Sequence, residues 1–134
     1  MKTLNLCDFL ENLKRTRYPD TQLDIYYSNV VIIQIFNSID VINWGWKLHN
    51  LSEEGIVISL VFNDQKPNNS TNYNRFKRCN LYSLFEKKDM GGGYMYFYFM
   101  QESTDAQAKL IVEMLQNIYN IQGNEIEVFF NSYT

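Results

Sequence analysis

A chain of 134 residues with 46% apolar and 20% charged side chains has the length of one domain and the composition of a folded one, which excludes a disordered segment. Its formal net charge of −3 argues against a dedicated nucleic-acid binder, which is usually basic. No apolar run reaches the ~20 residues that span a bilayer, which argues against a membrane partner, and the N-terminal MKTLNLCDFLENLKR breaks its apolar positions with acids, unlike a signal peptide.

Leu6, Phe9, Leu10 and Leu13 recur at helical spacing, with Asn5 and Asp8 suited to a first turn, so a helix is predicted to run to about residue 17, where Tyr18-Pro19-Asp20 stops it. A meander of four strands follows. Leu23, Ile25 and Tyr27 alternate with Asp24 and Tyr26; Ser28-Asn29 turns the chain; and Val30 to Phe36 is apolar on both faces, as a central strand is. Ile42, Trp44, Trp46 and Leu48 then read as one strand face, and after a turn at 52–55 Ile56, Ile58, Leu60 and Phe62 read as another. Residues 63–75 are polar and predicted as a loop, whereas 76–85 fit either a strand or a short helix, with Leu81, Leu84 and Phe85 favouring the helix.

Gly91-Gly92-Gly93 leads into YMYFYFM, a strand with Met95, Phe97 and Phe99 on one face and Tyr94, Tyr96 and Tyr98 on the other. Thr104 and Gln107 fit a capping box, and Ala108, Leu110, Ile111, Met114, Leu115 and Ile118 give the following helix its apolar stripe. Ile126, Val128 and Phe130, alternating with Glu125, Glu127 and Phe129, make a last strand. The expectation is a single α+β domain over residues 1–134: a mainly antiparallel meander sheet, two helices packed on one face, and a C-terminal strand–helix–strand unit that places two strands parallel.

Few of these residues carry chemistry. His49 is the only histidine and has no Cys or acid cluster beside it in the sequence, so no zinc site and no cofactor are expected. Cys7 and Cys79 are too few for a disulfide framework and read as inert reduced thiols of a cytoplasmic protein. The triple glycine precedes a strand, whereas phosphate loops open a helix. Arg75-Phe76-Lys77-Arg78 and Lys14-Arg15-Thr16-Arg17 are the basic clusters that would serve an RNA, the weakest of the readings.

Residues 101–134 hold five acids against one base, Lys109. This acidic third, with the tyrosine face, points to a non-enzymatic protein-binding module. Tyr94, Tyr96, Tyr98, Glu125 and Glu127 are its candidate contacts, and the partner is another protein or a second copy of the chain. Size, charge and architecture offer an analogy with bacterial immunity proteins and effector chaperones. The alternative is a small-ligand binder or minor enzyme whose pocket is lined by Trp44, Trp46 and tyrosines.

Overall fold

Period-two alternation in Thr21–Tyr27 (β1) and a continuous apolar run in Val30–Asn37 (β2) make both segments strands. The two residues between them, Ser28 and Asn29, both take positive φ, 50° and 63°, the backbone that matches the twist of a tight hairpin. The computed structural model describes residues 3–15, 21–62, 67–89, 94–122 and 125–132. The expected helix stop at 18–20 and the triple glycine at 91–93 lie outside them.

Ile56–Leu60 (β3), Glu86–Asp89 (β4), Tyr94–Met100 (β5) and Glu127–Ser132 (β6) complete a six-stranded sheet of order β4-β5-β3-β2-β1-β6. Every neighbouring pair is antiparallel. β2 lies inside the sheet, as its apolar run requires, and β4 and β6 form the edges. Four antiparallel steps separate β5 from β6, so the C-terminal strand–helix–strand unit does place two strands parallel, with β3, β2 and β1 between them.

Helices Thr3–Arg15 (α1) and Thr104–Asn117 (α4) lie on one face, as their apolar stripes demand. Leu6, Leu10 and Leu13 of α1 and Ile111, Met114 and Leu115 of α4 share a core with Leu23, Ile25, Ile33, Ile35, Ile58 and Leu60 of the sheet. Lys14 Nζ donates to Thr104 Oγ1 at 2.8 Å, Thr104 in turn donates to Glu11, and Asn37 Nδ2 donates to the Leu13 carbonyl at 2.7 Å. The N-cap of α4 is Ser103, whose Oγ accepts from Ala106 N. Gln107 is not a capping partner: it is buried, and its Nε2 donates to the Met100 carbonyl.

The structure departs from the sequence reading in three segments. Residues 38–43 are a short helix (α2, Ser38–Asn43), not a strand, and the chain then folds back over the opposite sheet face. There Phe36, Val41, Leu48, Val57, Phe97 and Phe99 form a second, smaller core under Trp44 and Trp46. The polar stretch is largely helical: Pro67–Arg78 is α3. The ambiguous segment divides between the end of α3 and a 3-10 turn at Tyr82–Leu84, and edge strand β4, which the sequence reading lacked, follows it.

Candidate functional site

Cross-strand register fixes which side chains share a face. Phe129 of β6 lies opposite Asp24, Asp24 opposite Gln34, Gln34 opposite Ser59, and Ser59 opposite Phe97. The face away from α1 and α4 therefore carries a polar row in its β1–β3 half. Asp24, only 3% exposed, is its centre. Its Oδ1 accepts from Gln22 Nε2 at 2.6 Å and from Gln34 Nε2 at 3.4 Å, and its Oδ2 accepts from Asn131 Nδ2 at 2.5 Å. A buried carboxylate needs such donors, and Asn131 is among them, so burial of Asp24 helps to tie β6 to β1.

Six ladder pairs, from Thr21 with Ser132 to Tyr26 with Glu127, hold β6 along its inner side. Rings fasten both its faces: Tyr26 meets Phe129 edge-on at 5.6 Å, and Phe9 of α1 meets Phe130 at 5.7 Å. Yet both phenylalanines keep much of their surface in water, 48% for Phe129 and 38% for Phe130, and Tyr27 at the far end of β1 keeps 37%. Among the described residues no strand pairs with the outer side of β6.

The two sheet edges differ in kind. β4 is EKKD, four residues and all charged, with Lys87 and Lys88 at its centre. Short, lysine-bearing edges repel strand addition. β6 is EVFFNS, six residues with Glu127 as its one charge. An apolar edge of that length presents an unpaired row of N–H and C=O groups between exposed rings, a template for another strand.

The tyrosine face is placed differently from the expectation. Tyr96 is 2% exposed: α3 covers it, Tyr73 and Tyr96 hydroxyls are hydrogen-bonded at 2.7 Å, and the Phe76 ring meets it edge-on at 5.0 Å. Tyr98 is half-buried against Phe85. Tyr94 heads β5 opposite Asp89. Only half-buried Tyr98 thus keeps any appreciable surface of this pair, and no open tyrosine sheet exists at Tyr96. Glu127 does lie on an exposed edge; Glu125 precedes the strand, its carboxylate accepting from Gln122 N at 3.3 Å. The exposed rings Phe129 and Phe130 went unnoticed as contacts, although their place in a final strand flanked by acids was there to be read.

Burial of phenols has a measurable consequence. Desolvation, and then the bond to Tyr73, push the Tyr96 hydroxyl far above the ordinary phenol value of 10.0, and desolvation does the same to fully buried Tyr119. Both groups hold their protons more tightly folded than unfolded, so their contribution is intact below about pH 10 and lost as pH rises beyond it. Thermal melting is expected to be flat across neutral pH and then to fall, each phenol removing up to about 1.4 kcal/mol per pH unit above pH 10. A melting temperature unchanged through strong alkali would show that these hydroxyls ionise in place.

Other candidates resolve into structure. Desolvation first, and then the Asp105 carboxylate to which its thiol donates at 3.4 Å, push Cys7 above the ordinary thiol value, away from nucleophile chemistry. Cys79 donates to the Phe76 carbonyl, and both cysteines are free. Phe76 is fully buried and Lys77 Nζ sits 4.4 Å above the Tyr73 ring, so this basic cluster has no ring to stack on a base. Trp44 and Trp46 are half-buried and pack against Phe36 and Phe97 at 5.4 and 4.8 Å over the second core. Among the described residues no three His, Cys, Asp or Glu side chains gather as metal ligands, and no helix is long and apolar enough to cross a membrane. Comparison with protein-family models, curated proteins and solved structures finds no match for the chain.

Proposed function

We propose that the chain is a protein-binding module that captures an extended segment of a partner protein along β6. The observation that carries this is the contrast between its edges: β4 is short and wholly charged, while β6 is longer, apolar and open among the described residues. Backbone hydrogen bonds along the edge would supply affinity, and the rings of Phe129 and Phe130 would grip side chains on either face of the added strand. Residues 121–132 hold Glu125 and Glu127 and no base. A strand bearing Lys or Arg complements that charge, whereas a second copy would bring its own acids to the same seam. The partner is therefore a protein with a basic extended segment, as a toxin or secreted effector held by an immunity protein or chaperone would offer.

The test compares three forms of the chain in capture from source-cell lysate with mass spectrometry, followed by affinity measurement on the purified partner. Wild type and Lys87→Ala are expected to retain the same stoichiometric protein. Phe129→Lys removes a ring and adds like charge, and is expected to weaken binding by about thirty-fold or more, the scale of an aromatic hot spot. Because Phe129 is half exposed, its replacement leaves folding within about 1 kcal/mol of wild type. A partner held equally by Phe129→Lys would place the interface elsewhere. Dimerisation of wild type that Phe129→Lys abolishes would replace the basic partner with a second copy.

A further inference from the structure

The end of the sheet remote from β6 carries a cavity of about 410 Å³. It exists because β4 starts late. Glu86, the first residue of β4, pairs with Phe97, while β5 runs on to Met100, paired on its other side with Ile56 of β3. Beyond Phe97, β4 no longer flanks β5. The 3-10 turn before β4 and the turn at His49 border the opening, tied together where His49 N donates to Glu86 Oε2 at 2.7 Å.

Its lining combines rings with acids. Phe85 and Tyr98, with ring centroids 5.6 Å apart, and Phe99 form apolar walls, and Glu86 and Glu102 supply two carboxylates. No Lys or Arg lines it. Lys88 Nζ stands 3.9 Å from Glu86 Oε1, a weak surface pair. Glu102 forms no ion pair among the described residues. Its negative charge still reaches the wall, because after desolvation it is the second cause that pushes the Tyr98 hydroxyl up. Aromatic faces attract cations through the ring quadrupole, and carboxylates at the rim add charge-assisted hydrogen bonds.

We propose that this cavity binds an organic cation, an ammonium or guanidinium group, seated between the Phe85–Tyr98 rings and the Glu86 and Glu102 carboxylates. A volume at the small end of ligand sites has room for one long basic side chain or one small amine, and a lining with two carboxylates and no Lys or Arg disfavours a phosphate. The cavity and β6 lie at opposite ends of the strand order, so this inference does not depend on strand capture.

The test is a titration of the full-length chain followed by amide chemical shifts at His49, Glu86 and Gln101. The probes are methylguanidinium, N-acetylarginine amide, the neutral isostere N-acetylcitrulline amide, and an acetyl-Gly-Arg-Gly-amide peptide. Saturable shifts are expected with the three cations and not with the citrulline derivative. Glu102→Gln, at an exposed position, should weaken the cations about three- to five-fold, the scale of one half-exposed charge pair. Glu113→Gln, a like change of charge outside the cavity, should leave them unchanged. Peptide binding ten-fold tighter than methylguanidinium assigns the cation to a protein side chain; equal binding assigns it to a free small amine. Equal shifts from the citrulline derivative, no saturation at these amides, or indifference to Glu102→Gln would each overturn the proposal.

Discussion

Phe76→Ala is expected to lose about 3–5 kcal/mol of stability, the range for deleting a buried phenylalanine that cannot be replaced by collapse of its surroundings. The ring is fully buried and meets four others: Tyr96 at 5.0 Å, Tyr82 at 5.1 Å, Phe85 at 5.3 Å and Phe62 at 5.4 Å. These belong to β5, the 3-10 turn, the residue before β4 and the segment just after β3, so one side chain joins four segments. It also carries its own helix. In PNNSTNYNRFKR only Tyr73 and Phe76 are large and apolar, one helical turn apart, which leaves α3 little else with which to dock. Hydrogen exchange should therefore rise to nearly unprotected rates across 71–78 in Phe76→Ala, while α1 and α4 keep their protection relative to the lowered global stability. Phe76→Leu, which keeps most of the volume, should cost about 1–1.5 kcal/mol. Slow exchange across α3 in Phe76→Ala would mean that Tyr73 alone anchors it.

The same helix explains what the sequence concealed. Periodicity exposes elements that bury a regular stripe: α1, α4, β1, β2, β3, β5 and β6 all do. α3 is polar apart from two positions, and its one local signal is Pro67 at the first helical residue, where proline's missing N–H does no harm. β4 is wholly charged and has no pattern to read. At 38–48 the alternation of Ile42, Trp44, Trp46 and Leu48 imitated a strand. Tertiary packing overrode it, since Trp44 N and Trp46 N bond the Asp40 and Val41 carbonyls, and the indoles cover the second core. The burial of Tyr96 follows from the missed cover. Alternation divided Tyr96 and Tyr98 from Met95, Phe97 and Phe99 correctly, but which face stays open depended on a helix that the composition hid. β6, by contrast, was legible as a strand, but its edge position and the contrast with β4 needed the sheet order.

Gly55→Ala is the second large loss expected, and Gly45→Ala measures its origin. Gly55 has φ +149°, where a β-carbon is strained, and an added Cβ would stand 2.4 Å from the Met100 carbonyl oxygen and 2.7 Å from the Phe99 ring. Neither neighbour can move away cheaply. Met100 is held in register by Ile56, Phe99 is packed into the second core, and Gly55's own carbonyl accepts from Ser38 N at 3.1 Å where α2 begins. Backbone strain of about 1–3 kcal/mol and an overpacking term of similar size add to about 3–5 kcal/mol, or a fall in melting temperature of about 10–20 °C. Gly45, at φ +82°, has nothing within 4 Å of its added Cβ, so Gly45→Ala bears the backbone term alone, about 1 kcal/mol. The difference between the two variants isolates steric contact from conformational strain. If both lose the same amount, β5 yields to the new methyl and the turn at 52–55 is looser than its geometry implies. A loss confined to Gly55→Ala locates the close approach of backbone that joins α2, β3 and β5, the frame on which the second sheet face and the cavity beyond Phe97 both depend.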